Sequence, residues 1–593
     1  IWHRDKYLIF SPSSIPLNIK ELSLSNQSNR LITINDHLPN GLERITFGKE
    51  FNQLIVPGSL PQSLTSLTFG HMFNQVIRPN ILPNSITSLF YGVDFNSRIM
   101  PGSLPASLRT LIVGYGYRAK FNQLIEPCTL PDGLIELELG SCFDQPIEPG
   151  ILPNSLTKLT INDEGPEAYT QDILPGALPD SLNDLTIDSL YLRPILDGVI
   201  PSSLTSLHLR LTGWRECVFP QHSSLTSLSL ILKSGGMPRP LPTSITRLKL
   251  SSDGDAFIPS LSIPQSTIEL ECYGFPFQMI MAALHPKLHT FLLTLKFGNV
   301  ECIELEPNQL PVSLTSLTIG CFKQPIVPGL LPDSLTSLSF GQFNQLILPN
   351  TLPSSLINLD LGWLYDKPIV PGMLPSSLRK LSINNLNFNS ELDFGSYISS
   401  LTKIRLAGTR STKGVVFPRS LKHLRILDHS YMGLCQASDF DDGNMHSVAF
   451  QRKINKVTGI PTIPNLVNVD RLKVRFKVNH QSGYDQSRGL VHQARVMIGT
   501  LLRNIPNVKT YIIEDNWFCE AHVRRLDESS AICLIRTRDS EDLPIPRYHV
   551  NFIRNIDQLS ISTFCANDDN YNSIQDTDSP NKNKRVRNII GKT

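Results

Sequence analysis

Residues Phe51–Gly70 read FNQLIVPGSLPQSLTSLTFG. Leu64, Leu67 and Phe69 set an L-x-x-L-x-F pattern whose second half alternates with period two, as in a strand that buries one face. Pro57-Gly58 marks a turn, and Leu60-Pro61 excludes helix ahead of the strand, because proline pushes its preceding residue toward extended backbone. The phrase Leu-Pro-x-Ser-Leu-Thr-Ser-Leu recurs at Leu60–Leu67, Leu310–Leu317 and Leu331–Leu338. One such unit cannot bury its apolar face alone, whereas stacked copies share a continuous core.

Degenerate copies fill the intervals between these three, with first apolar positions running from Ile19 to Leu421. They make about nineteen units of about 22 residues. Three residues after each of these positions stands a Leu or Ile, from Leu22 and Ile45 through Ile404 to Leu424. Two residues further on comes another apolar residue, from Leu24 to Ile426. A Gly commonly follows (Gly70, Gly92, Gly114, Gly140, Gly320, Gly341, Gly362), which suits a turn through its tolerance of positive φ. The following Phe-Asn-Gln (Phe51–Gln53, Phe73–Gln75, Phe121–Gln123, Phe343–Gln345) places an aromatic to plug the interior and an Asn to hydrogen-bond neighbouring turns as a ladder. The expected fold is mainly β: an LRR-like solenoid with a parallel sheet and non-helical return legs. Register is ambiguous near 160–175, 210–222, 251–290 and 390–415, where units lengthen or lose Phe-Asn.

These residues resemble the FNIP repeat family, in variants such as Phe143-Asp144-Gln145-Pro146-Ile147 and Phe322-Lys323-Gln324-Pro325-Ile326. The resemblance covers roughly residues 18 to 430. It implies an interaction module with no catalytic residues to transfer. It also implies an intracellular setting, since some members of the family carry an F-box and others a kinase domain beside the repeats.

The remaining organisation follows from where the rhythm stops. Residues 1–17 read as a lead-in segment, and a chain beginning at Ile1 is expected to be truncated. The solenoid occupies 18–435, a C-terminal α+β capping domain 445–560, and a polar, disordered tail 566–593. Within the cap, Arg471–Val478 alternates strictly and Val491–Ile505 has helical periodicity. Val508–Ile513, Ala531–Thr537 and Tyr548–Ile553 read as strands, and Phe518–Leu526 as a short helix. Lys582–Arg587 is a short basic run.

Composition excludes several classes. Forty-four prolines spread along the chain rule out long helices over most of it, and no apolar run reaches membrane-spanning length. The net charge of +2 points to neither nucleic acid nor an acidic membrane. Ten cysteines lie scattered from Cys128 to Cys565 with no CxxC, and so read as reduced thiols in a cytoplasmic protein, without a zinc site. His3-Arg4-Asp5 lacks the Asn that a kinase catalytic loop needs, since Phe10 stands there. Gly114-x-Gly116 with Ala119-Lys120 lacks phosphate-loop spacing, and neither H-E-x-x-H nor G-x-S-x-G occurs. No catalytic residue, cofactor or metal is expected.

Binding residues are therefore sought on the outward strand positions, which are mostly Ser and Thr. Three deviations stand out. Phe90 and Ile112 put apolar side chains outward, with Glu136 and Glu138 as an acidic point beside them. Arg247 and Lys249 are placed to pair with Glu269 and Glu271 across neighbouring strands. Lys380, Lys403, Arg405, His423 and Arg425 form a basic patch. The expected function is a non-catalytic protein-interaction scaffold or adaptor in signalling, with protein partners and no membrane. One alternative is the substrate-recognition part of an F-box-type ubiquitin ligase. The weaker one is RNA binding through the basic C-terminal domain, which lacks an RNP sequence and a stacking platform.

Overall fold

The computed structural model describes residues 18–427, except 25, 34–37, 115–117, 162–168, 192, 194, 212–218, 220–223, 233–240, 253–261, 285–290, 299–301, 386–397 and 407–416. It further describes 469–476, 508–515, 519–525, 530–537 and 547–554. The lead-in, the helical periodicity read over Val491–Ile505, Gly116, the Lys582–Arg587 run and the tail lie outside the described residues. The chain forms two compact units: Ile1–Tyr365 with Val370–Leu378, and Asp366–Ile369 with Arg379–Thr593.

The first unit begins with β1 (Glu21–Ser23), β2 (Arg44–Thr46), β3 (Ser66–Thr68), β4 (Ser88–Tyr91), β5 (Thr110–Val113) and β6 (Glu136–Leu139). It continues through β7 (Lys158–Ile161), β8 (Asp184–Tyr191), β9 (Ser206–Leu211), β10 (Ser227–Leu232), β11 (Arg247–Ser252) and β12 (Glu269–Tyr273). After α1 (Phe277–Ala283) come β13 (Thr294–Phe297), β14 (Ser316–Cys321), β15 (Ser337–Gln342) and β16 (Asn358–Asp360). Each strand pairs in parallel with the next, one repeat on. The second apolar position of every repeat from Ile45 to Leu359 is at most 2% exposed. Register survives the irregular units, with Leu159 opposite Leu185, Leu207 opposite Leu228, and Leu248 opposite Leu270.

Why the repeat carries its particular residues is visible in the return leg. The aromatics at the Phe of Phe-Asn-Gln and their counterparts stack along the solenoid interior: Phe51, Phe73, Phe95, Phe121, Phe143, Tyr169 and Tyr191 follow at centroid spacings of 6.0, 6.2, 5.8, 6.0, 6.3 and 6.0 Å. The Asn ladder forms as expected. The backbone N–H of Asn74 donates to Asn52 Oδ1 at 2.9 Å, that of Asn96 to Asn74 at 2.8 Å, and that of Asn122 to Asn96 at 2.9 Å. The Ser of Leu-Pro-x-Ser-Leu has its own ladder, Ser63 Oγ donating to the Leu42 carbonyl and Ser85 Oγ to that of Leu64, each at 2.6 Å. These bonds satisfy backbone groups in a return leg that has no sheet partners of its own.

The glycines after the strands serve a different purpose from the one expected. Gly114 and Gly362 do take positive φ. At Gly70, however, an added Cβ would lie 1.9 Å from the Gly48 carbonyl oxygen, and at Gly92 2.2 Å from that of Gly70. The column is glycine because successive backbones touch there. Positive φ is required instead at the Pro-Gly turns, as at Gly58 (φ 75), where Ser59 N–H closes the turn on the Val56 carbonyl at 3.1 Å.

Two further expectations are corrected. The return leg after β12 is helical: Phe277–Ala283 buries Phe277 and Ile280, one turn apart, and Phe277 meets Phe297 edge-on at 5.0 Å. That segment lacks Phe-Asn-Gln, so helical spacing of its apolar residues fills the same interior space. The cysteines are not all free thiols, since Cys302 and Cys321 form a disulfide.

The second unit holds β17 (Lys380–Ile383), β18 (Lys403–Leu406), β19 (His423–Leu427), β20 (Val469–Phe476) and β21 (Val508–Asp515), each parallel to the next. It then turns antiparallel with β22 (Cys519–Arg525), β23 (Ser530–Thr537) and β24 (Arg547–Arg554). Residues 519–525, expected as helix, are thus strand: the pairing of Val523 with Tyr511 buries both side chains completely. Here tertiary pairing overrides a short apolar pattern that helix and strand share.

Candidate interaction surface

Because Leu and Ile at the inward positions are committed to the core, the side chains that flank them on each strand point out from the sheet in two columns. In parallel register, each column repeats every strand, about 4.8 Å apart. Chemistry along the surface is therefore set by which residue type occupies the same repeat position in successive units.

The apolar and acidic residues read from the sequence come together. Phe90 on β4 lies opposite Ile112 on β5, and Ile112 opposite Glu138 on β6, all three half-buried. Glu136 sits beside Glu138 on the same strand but is ion-paired to Lys158 at 2.6 Å, which lifts the Lys158 ammonium above its ordinary pKa through that hydrogen bond. The acidic point is thus partly neutralised from β7. Both side chains are solvent-accessible, so this pair contributes at most about 1 kcal/mol.

The pairing expected across β11 and β12 holds for one pair only. Arg247 Nε lies 3.3 Å from Glu269 Oε2. Glu271 pairs instead with Lys296 on β13, while Lys249 Nζ stands 5.7 Å over the Tyr273 ring. In both pairs, charge on one strand is balanced from the next. The same holds for Arg44 with Glu21 and Lys20 with Glu43.

A polar cluster on β8–β10 was not singled out from the sequence. His208 Nδ1 and Ser229 Oγ hydrogen-bond at 2.8 Å, and Asp188 Oδ1 lies 3.6 Å from His208 Nε2 and 3.0 Å from Arg210 Nε. A register irregularity between Ile187 and Leu190 brings Asp188 there, which periodic reading cannot anticipate. The contacts outline a Ser-His-Asp order, but Arg210 occupies the carboxylate. Ser229 lies mid-strand, where both neighbouring strands pair with its own, so no pair of free N–H groups is set beside it to stabilise an oxyanion. The cluster is a clasp across three strands.

The basic residues follow another rule. Lys380, Lys403 and His423 occupy one column of β17–β19, and Arg405 and Arg425 the other. Lys380 and Lys403 are exposed, and Arg405, His423 and Arg425 half-buried. The ladder then extends beyond the residues read from the sequence: His423 lies opposite Arg471 on β20, and Arg425 opposite Lys473. Burial, then Lys403 and Arg471, hold the His423 imidazole below its ordinary pKa. Like charges about 5 Å apart repel by roughly 1 kcal/mol in a water-like dielectric before salt screening. Among the described residues no acidic side chain occupies either column on β17–β20. A signal for the two missed cations existed: Arg471-Leu472-Lys473-Val474 reproduces the repeat pattern of Lys403-Ile404-Arg405-Leu406.

No helix among the described residues is long and apolar enough to cross a membrane, and none of the described His, Cys, Asp and Glu residues group as a metal site. A family model described as FNIP Repeat matches residues 29–71, 73–116, 121–164, 169–211, 303–342 and 343–386. A crystal structure of CroV588, a novel circular LRR protein structure, is similar at 28% identity with a TM-score of 0.51. That likeness covers 84% of this chain and 73% of CroV588. No curated protein matches.

Proposed function

We propose that this chain, a member of the FNIP-repeat family with LRR-like architecture, is a protein-interaction scaffold that binds partners on the outward columns of its parallel sheets. The fold is of a solenoid class that is generally non-catalytic and typical of such scaffolds. One observation carries the reading: the outward columns hold side chains that the core does not need, and their composition changes along the chain from Ser and Thr to an apolar–acidic patch at Phe90–Glu138 and a basic one at Lys380–Arg425. Repeat scaffolds place specificity in scattered surface residues in this way.

The test is capture of a protein partner by the immobilised full chain, followed by the same capture with two double variants. Phe90→Ser with Ile112→Ser, and Lys403→Glu with Arg405→Glu, each change only outward positions. Loss of the partner with either variant supports the reading. A partner retained unchanged by both removes these patches from it. The identity of the partner then separates a signalling adaptor from the substrate-recognition part of a ubiquitin ligase. A cytoplasmic location belongs to the same proposal and makes its own demand: the Cys302–Cys321 pair must be reduced in the cell.

A further inference from the structure

We infer that the outward face of β17–β20 is a docking site for an acidic peptide, held by the cations Lys380, Lys403 and Arg471, with His423 in the same column and Arg405, Arg425 and Lys473 beside it. The inference rests on the scaffold reading and names the chemistry of one partner. Three observations carry it. Among the described residues, several neighbouring strands of the first unit offset one another's charge, as Arg247 with Glu269, Lys296 with Glu271 and Lys158 with Glu136, whereas here seven of eight column positions are basic or histidine and the eighth is Ser382. Like charges directly opposite on adjacent strands, as Lys380 and Lys403 are, destabilise a sheet, so a peptide carboxylate set between them would relieve that repulsion. Lys380, Lys403 and Arg471 are exposed, which opens their charged ends to an incoming carboxylate or phosphate oxygen.

Geometry favours an extended peptide over single-stranded nucleic acid. The rungs are about 4.8 Å apart, so Lys380 to Arg471 spans roughly 14 Å, within reach of an extended segment of about four or five residues. Single-stranded nucleic acid is gripped by bases stacked on aromatic rings as well as by cations. Of the eight outward positions His423 alone carries an aromatic ring, and Tyr511 on the next strand is fully buried, so no platform of successive rings is present there.

The experiment measures fluorescence anisotropy of a labelled ten-residue poly-glutamate peptide, and separately of a labelled twelve-nucleotide oligouridine, against the full chain at low and physiological salt. The peptide is expected to bind, with an affinity that falls as salt rises. Arg471→Glu with Lys473→Glu should weaken it at least tenfold, as should Lys403→Glu with Arg405→Glu, while Lys323→Glu, an exposed cation in the first unit, should not. These reversals place acids among cations and should leave the fold intact; circular dichroism checks this, and Arg471→Gln with Lys473→Gln gives a milder second test. No peptide binding at low salt, binding indifferent to the β20 substitutions, or binding of oligouridine alone would each overturn the inference. A protein partner still captured by the β18 and β20 variants would leave the scaffold reading standing and end the ladder's part in it.

Discussion

Replacing Phe95 by Ala should open the solenoid locally at its aromatic stack. Phe95 is 1% exposed and stacks on Phe73 at 6.2 Å, Tyr91 at 4.0 Å and Phe121 at 5.8 Å. Truncating a fully buried Phe costs about 3–5 kcal/mol, because its transfer energy is lost and a cavity remains. The three ring contacts, each about 0.5–1.5 kcal/mol in other proteins, place this site in the upper part of that range. Taking about 4 kcal/mol at 1.4 kcal/mol per decade, amides flanking the cavity should lose roughly a thousandfold of hydrogen-exchange protection. Phe95→Leu keeps much of the volume and should cost about 1–1.5 kcal/mol. Leu54→Ala, at a residue 58% exposed, should cost less than about 0.5 kcal/mol. Exchange read by mass spectrometry should show the loss at Ser88–Tyr91 and Thr110–Val113 and spare Ser316–Cys321. A Phe95→Ala loss smaller than tenfold, or one spread evenly over both regions, would refute the picture of a stack stabilised between nearest neighbours.

Cys128 stands at the turn position that Gly holds in other repeats, with φ of 62, so Cys128→Gly should stabilise the chain by about 1 kcal/mol, read as a higher urea midpoint of the first unit. A lower midpoint would show that the thiol matters for packing. His423 has a folded pKa below its ordinary 6.5 because of burial and of Lys403 and Arg471 on the flanking strands, with Lys422 adding to this and Asp470 opposing it. The stability its neutral form contributes is therefore present above about pH 6.5 and is lost as pH falls through the depressed folded value. His423→Gln should flatten that part of the melting-temperature profile between pH 7.5 and 5, and parallel profiles would contradict it. The Cys302–Cys321 disulfide spans 19 residues and should contribute up to about 3 kcal/mol by constraining the unfolded chain. Cys302→Ser should lower stability in oxidising buffer and leave it unchanged in reducing buffer; equal loss in both would assign the effect to packing.

The outward surface was legible where it obeys the repeat and illegible where it leaves it. Lys380, Lys403, Arg405, His423 and Arg425 could be aligned because each sits at a fixed offset from a buried Leu or Ile. Arg471 and Lys473 share the strand pattern but follow a segment without the Leu-Pro rhythm, so strand pairing was needed to show that they continue the same columns. The Asp188–His208–Ser229 clasp depends on a local slip in register, and Glu271 chooses Lys296 over Lys249 through side-chain reach across the sheet.

By itself the amino-acid sequence determined the solenoid, its parallel register, the inward Leu and Ile column, the Phe plug and the Asn ladder. It could do so because each residue's main partner is its own counterpart one repeat away, so a period in the chain is also a contact in space. Tertiary structure alone decided the helix at Phe277–Ala283, the strand at Cys519–Arg525, the Cys302–Cys321 bond and the glycines made necessary by touching backbones. Each of these depends on distances between segments that share no period, and such distances exist only once the chain is packed.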